Sequence, residues 1–371
     1  LKTDVPGERM ESNIMANDIL ILGTGYFAEI MICDLASTAQ APLHVLVGGR
    51  NVERMTWLAE AGRSRAAIFG TPVTFGTLKV DSGSPESIGE ALAKTNPRIV
   101  VQSASLQSPW KVDRMDSEWS RLVAEAGFGM TIAFHSVLPS RTAKAVKAAG
   151  ANVTFVNTCY PDGVNQVLHR AGLPITTGVG NIAIYAAVIA ALLPAEQRGS
   201  LRVLGHHQHL VQWRKPGTER TGAPVRAWVG ENEIPNVDDM TRHVQLPYRD
   251  LNAISGASAV PVLRALAGHG DILAHVPGPG GLPGGYPVRV SAGRVTLDLP
   301  KGLTRDAAIA WNRGFEDADG VSISDDGRVT YSERARDALA AYSPTLAAGF
   351  NVVDVEAVAR ELGELRARLG G

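Results

Sequence analysis

Residues 18–30 read Asp18-Ile19-Leu20-Ile21-Leu22-Gly23-Thr24-Gly25-Tyr26-Phe27-Ala28-Glu29-Ile30, and residues 43–51 read Leu43-His44-Val45-Leu46-Val47-Gly48-Gly49-Arg50-Asn51. Four apolar residues, Ile19 to Leu22, form a short continuous run, the pattern of a parallel strand covered by helices on both faces. Gly23, Gly25 and Ala28 follow at G-x-G-x-x-A spacing. In such a loop the first small residue permits the tight turn, the second lets a pyrophosphate approach the backbone, and the third lets the helix pack closely on the sheet. Phe27, Ile30, Met31, Leu35 and Ala39 then recur at helical spacing, while Glu29 and Asp34 fall off that face. Strand, loop, helix and strand in this order predict a dinucleotide-binding unit with phosphate at the helix N-terminus.

The end of the second strand bears on the choice of dinucleotide. About twenty residues after the loop, an NAD-preferring site usually places an acid on the ribose 2′-hydroxyl. Here the chain offers Gly49, Arg50 and Asn51, with no carboxylate to repel a 2′-phosphate and a guanidinium able to hold one through forked hydrogen bonds. NADP(H) is therefore the expected cofactor. In open α/β sheets ligands gather at the carboxyl ends of the strands. That rule makes Gly23, Thr24, Gly25, Tyr26, Phe27, Gly49, Arg50, Asn51, Asp81, Ser82, Ser103, Ala104, Ser105 and His135 the candidate cofactor contacts.

At 371 residues the chain is long enough for two domains. A formal net charge of −1 supplies no field that would draw it to nucleic acid or an anionic membrane, so neither is an expected partner. The expected partners are a small-molecule substrate and a second copy of the chain in a homodimer. Two cysteines, Cys33 and Cys159, are too few for a disulfide framework and fit a reducing cytoplasm. The longest apolar stretch, 182–193, is about half of a membrane span. Residues 1–17 lack the apolar core of a signal peptide and read as an N-terminal extension.

Further along, 53–61 reads as a helix, 73–80 as a third strand, and Ser84-Pro85 as the cap and first residue of a helix reaching about residue 94. The pattern continues with a strand at 99–101, a helix at 116–126, a strand at 130–134, a helix at 140–148 and a sixth strand at 153–156. The expected fold is α/β, a Rossmann doubly wound parallel sheet over 18–160, with a second α+β substrate domain over 161–350. In that second domain 201–213 and 223–229 read as strands, 257–267 as a helix, 287–291 and 294–298 as strands and 304–313 as a helix. A hairpin turns at Asp325-Asp326-Gly327. Residues 351–371, with an amphipathic helix at 353–369, are expected to return to the first domain.

This organisation, with the junction Cys159-Tyr160-Pro161-Asp162-Gly163-Val164-Asn165, resembles the saccharopine dehydrogenase-like oxidoreductases, in which the sixth strand ends in a Pro-Gly-x-x-Asn type of motif. Here Asp162 stands between Pro161 and Gly163. The resemblance implies a pyridine-nucleotide enzyme acting on an amino acid, imine or related carboxylated amine.

Hydride transfer needs a placed substrate and a proton source. Lys111, His135, Tyr160, Asp162, His275 and Tyr286 are the candidate donors, and Arg289 is a candidate carboxylate anchor. The stretch 275–289 is dense in glycine and proline, as a rigid loop approaching a ligand would be. His206, His207 and His209 have no acidic or cysteine partner at ligand spacing, and no metal is expected there. No G-x-S-x-G or P-loop string occurs. A reductase of sugars, aldehydes or semialdehydes, or a dinucleotide sensor without turnover, are the other readings.

Overall fold

The computed structural model describes residues 18–108, 112, 114–150, 152–247 and 251–371. The expected extension at 1–17 and the candidate donor Lys111 lie outside them. Its central feature is a six-stranded sheet of β1 (Ile19–Leu22), β2 (Leu43–Gly49), β3 (Val73–Lys79), β4 (Ile99–Gln102), β5 (Thr154–Asn157) and β6 (Thr177–Gly178). The spatial order is β3-β2-β1-β4-β5-β6, and every neighbouring pair is parallel. This is the doubly wound order whose switch point lies between β1 and β4.

Helices on both faces explain the short apolar strands. The side chains of Ile19, Leu20, Ile21 and Leu22 are all completely buried, alternating between two hydrophobic clusters on opposite faces of the sheet. Helix α1 (Tyr26–Thr38) and α2 (Val52–Phe69) cover one of them. On the other face lie α3 (Pro85–Thr95), which opens on the expected Ser84 cap, and α4 (Glu118–Ala126).

The sequence pattern misplaces the last third of this sheet. Residues 130–134, expected as a strand, belong to a short 3-10 turn, Phe128–Thr131, and to the start of helix α5 (Ile132–Ala148). Both faces of α5 are buried, including Ile132, Ala133, Phe134, Val137 and Val146, so its apolar run carries no periodicity to separate helix from strand. The strand expected as sixth is thus the fifth. The true sixth, Thr177–Gly178, follows helix α6 (Pro161–Arg170), so the sheet runs past residue 160. A two-residue strand leaves almost no alternation to read.

Beyond the sheet stand three antiparallel three-stranded sheets: Leu201–Leu204 with Arg226–Val229 and Asn232–Glu233; Asp271–Pro277 with Gly285–Ser291 and Arg294–Leu297; and Val321–Ile323 with Arg328–Tyr331 and Phe350–Asn351. The hairpin at Asp325-Asp326-Gly327 is present. Two expectations change. Residues 201–213 are a strand only to Leu204, then turn into the short helix His209–Trp213, so His207 and His209 do not share a strand face.

The glycine- and proline-rich stretch is the turn of a strand pair packed on α6. It links strands Asp271–Pro277 and Gly285–Ser291, pairing His275 with Pro287 and Leu273 with Arg289. A Cβ on Gly278 would lie 2.6 Å from the Pro161 carbonyl oxygen, and one on Gly281 would lie 2.2 Å from His169 Cβ. The glycines therefore let this turn press against α6, where Asn165 Nδ2 donates to the Gly278 carbonyl at 3.0 Å.

The last helix, α7 (Val355–Arg368), lies on α5, with Glu356 paired to Arg141 at 2.8 Å. Among the described residues no single helix is long and apolar enough to cross a membrane.

Candidate functional site

A cleft of about 1250 Å³ opens at the carboxyl ends of β1, β4 and β5, with residues 179–181, 207–214 and 251–255 across from them. Thr24, Gly25, Tyr26 and Phe27 make one wall, and Ser103, Ala104, Ser105 and Thr158 the floor. Two glycines build the wall for different reasons. Gly23 has φ +130°, and a Cβ there would meet the Ser103 carbonyl oxygen at 2.8 Å, so packing beneath the loop excludes a side chain. Gly25, the residue before α1, has φ −77° and a Cβ there would meet no protein atom within 4 Å. The space above Gly25 faces the first turn of α1, whose backbone N–H groups have no partners within the helix, as an anion-binding helix end requires. The loop therefore fits a dinucleotide pyrophosphate.

Gly49, Arg50, Asn51, Asp81 and Ser82 lie beside this cleft at the ends of β2 and β3, and do not form its walls. Asn51 is committed as the cap of α2, accepting from the Arg54 N–H at 2.9 Å. Arg50 is largely exposed and stands 3.8 Å from Asp81, the acid just past the end of β3. Both side chains are solvated, so that pair holds Arg50 only weakly. Arg54, unremarked in the sequence, donates to Glu29 at 2.6 Å and to the Thr24 carbonyl, bracing the loop.

At the other end of the cleft lies a cluster of side chains from distant parts of the chain. Tyr160, the residue before α6, and Asn181 have φ of +44° and +40°, in the left-handed region that non-glycine residues seldom occupy. The Tyr160 hydroxyl donates to Asp319 Oδ2 in a very short hydrogen bond. Asp319 Oδ1 accepts from His207 Nε2 at 2.8 Å and from Gln208 Nε2 at 2.7 Å. His207 Nδ1 faces Asp162 Oδ2 at 3.9 Å, and that oxygen accepts a short hydrogen bond from Asn181. The Tyr160 and His207 rings meet edge to face, with centroids 5.1 Å apart.

Burial and charge set the protonation of this cluster. Burial pulls the His207 imidazole down, but the Asp319 carboxylate, its hydrogen bond and Asp162 outweigh that and raise it. Burial likewise pushes Asp319 up, and His207, with His206 and the Tyr160 hydrogen bond, more than reverses the shift, leaving it below the usual carboxylate range. His207 and Asp319 thus each favour the charged form of the other. For Asp162 burial prevails over His207 and Asn181, and its carboxyl is raised. Burial also drives the Tyr160 hydroxyl upward, reinforced by Asp319.

His135, expected at a strand end, reaches the cleft from α5, where its ring lies 5.0 Å from that of Phe128; burial brings it down to about 4 and keeps it neutral. Cys159 also lines the cleft, but burial pushes its thiol up to about 12, so it is no nucleophile. Three arginines, Arg121, Arg214 and Arg334, line it as well.

Of the candidate catalytic residues, the structure brings Tyr160 and Asp162 to the cluster and leaves three elsewhere. His275 and Tyr286 sit on paired strands outside the cleft lining, and Tyr286 is completely buried. Arg289 is half exposed, pairs with Asp271 at 3.4 Å, and is not part of the cleft lining. The reason is strand pairing: the stretch closes a hairpin on α6. The sequence pattern missed His207, Gln208, Asn181 and Asp319. His207 carried a signal only as part of a histidine-rich stretch whose acidic partners lie 45 and 112 residues away.

No protein-family model matches the sequence, and no curated protein does. Solved structures do match. The putative glucosidase lplD from Bacillus subtilis is 11% identical over 94% of this chain and 100% of its own, with a TM-score of 0.54. The minor L-lactate dehydrogenase of Enterococcus mundtii is 15% identical over 82% of this chain and 97% of its own (TM-score 0.49), and the malate dehydrogenase of Aeropyrum pernix 16% over 79% and 94% (TM-score 0.45). At these identities the likeness is one of fold.

Proposed function

We propose that the protein is an NADP(H)-dependent oxidoreductase that transfers a hydride between the cofactor and a small carboxylated amine, imine or amino-acid-like substrate. The observation that carries this reading is one cleft with the glycine loop on one wall and the Tyr160–Asp319–His207 cluster at its far end. Residues 23–27 and the first turn of α1 would hold the pyrophosphate, and Arg50 the 2′-phosphate. A bound nicotinamide would supply or accept the hydride.

The chain's own residues do the rest. Arg214 and Arg334, on the cleft walls, offer guanidinium groups for a substrate carboxylate, the role assigned in the sequence to Arg289. Neutral His135 and the Phe128 ring give the middle of the cleft an apolar, uncharged surface suited to a nicotinamide ring. Tyr160, Asp319 and His207 form a hydrogen-bonded chain along which the proton that balances hydride transfer can move to or from the substrate nitrogen or oxygen. The amino-acid-like substrate class also draws on the resemblance of the 159–165 junction to saccharopine dehydrogenase-like enzymes.

The test is NADPH oxidation with a panel of oxo acids plus amines, set against sugars and aldehydes. Turnover confined to the first group is expected. Turnover only on sugars or aldehydes would reassign the substrate, and tight NADPH binding with no turnover on either would make the protein a sensor.

A further inference from the structure

Asp162, His206 and His207 bring one carboxylate oxygen and two imidazole nitrogens within 4.8 Å of one another. We propose that this cluster is a binding site for one divalent first-row transition metal ion, such as zinc, cobalt or manganese. The inference stands on the donor set and not on the nucleotide reading.

Two buried atoms point to a missing partner. Asp162 is 1% exposed, and its Oδ1 has no hydrogen-bond partner; His207 Nδ1, which faces the same carboxylate, has none either. A buried carboxylate oxygen and a buried imidazole lone pair left unpaired are costly, and a shared cation satisfies both. The surroundings are those of a prepared ligand set. Asp319 accepts from His207 Nε2, so the neutral ring that a metal would bind carries its lone pair on Nδ1, toward Asp162. Asn181 holds Asp162 Oδ2 and so orients the carboxylate. His206 is 2% exposed and lies against the Phe315 ring, which fixes its plane.

Mixed imidazole and carboxylate donors suit zinc and its first-row neighbours rather than magnesium or calcium, which take oxygen ligands. Three protein ligands leave at least one position open, and one of them, His207, is part of the cleft wall. An ion there would hold and polarise a substrate oxygen. His207 Nδ1 would then be a ligand, and the proton path would run through Tyr160 and Asp319.

The experiment is a titration of the untagged, chelator-treated full chain with Co2+ alone, followed by visible absorption and by calorimetry. The expected result is one Co2+ per chain with an absorption band of a low-coordinate nitrogen and oxygen site, displaced by Zn2+. His207→Gln and Asp162→Asn, each checked for a folded far-UV spectrum and a cooperative melt, should weaken binding at least tenfold. Asp319→Asn, whose link to the ion runs through its hydrogen bond with His207, should weaken it by about 10–100-fold. Absence of stoichiometric binding by the parent chain overturns the proposal whether or not the variants fold. Equal binding by the parent and the folded His207→Gln and Asp162→Asn chains overturns it as well. Neither result touches the nucleotide reading, which a parallel NADPH titration reports.

Discussion

The two ends of the cleft are made of different material. The wall at residues 23–27 is backbone: Gly23 is confined by the Ser103 carbonyl, Gly25 opens on empty space, and the helix end beyond them requires no particular side chain. The far end is side chain: Tyr160, Asp162, Asn181, His207 and Asp319 are held by one another in a largely buried network. A backbone site separates binding from folding, because a side chain added above it meets ligand and not protein. A buried ionic network joins the two, because removing one member strands the others.

The sharpest break in that contrast is Asp319→Ala. It leaves Tyr160, His207 and Gln208 without their acceptor, and a loss of about 3–5 kcal/mol in urea unfolding is expected, the scale for breaking a buried ion pair. A loss below about 1 kcal/mol would mean the network is not structural. Gly23→Ala is the exception within the backbone wall. Its φ of +130° and the 2.8 Å approach to the Ser103 carbonyl predict a loss of about 2–3 kcal/mol, read as a lower unfolding midpoint. Arg50→Ala should leave stability unchanged and narrow the preference for NADPH over NADH by about 1–2 kcal/mol, since the group is exposed and its hydrogen bonds to a 2′-phosphate would be solvated. Equal affinity of the parent chain for both cofactors would contradict that assignment. Arg289→Ala is the smallest change: stability within about 0.5 kcal/mol and an unchanged substrate KM, because the guanidinium reaches only Asp271 on the surface.

The same difference decides what could be read from the sequence. The glycine wall was legible because every residue that builds it lies within 18–30 and its spacing is fixed by one turn. The first four strands were legible for the same local reason. The far end draws on residues 160–162, 181, 206–208 and 319, which only the completed fold brings together. In the 275–289 stretch glycine marks close approach without saying to what; the neighbour the structure shows is α6. Helix α5 misled because it is buried on both faces.

The central claim, that the glycine wall is a nucleotide site, is tested most directly by NADPH fluorescence titration of the parent chain and of Gly25→Val, with thermal melts alongside. The account predicts saturable binding by the parent, loss of binding in the variant, and a cooperative melt in both, the variant lowered by no more than a weakened helix cap, about 1 kcal/mol, because a Cβ at this position meets nothing in the protein. A Gly25→Val chain that melts as the parent does and still binds NADPH with the parent's affinity would contradict it.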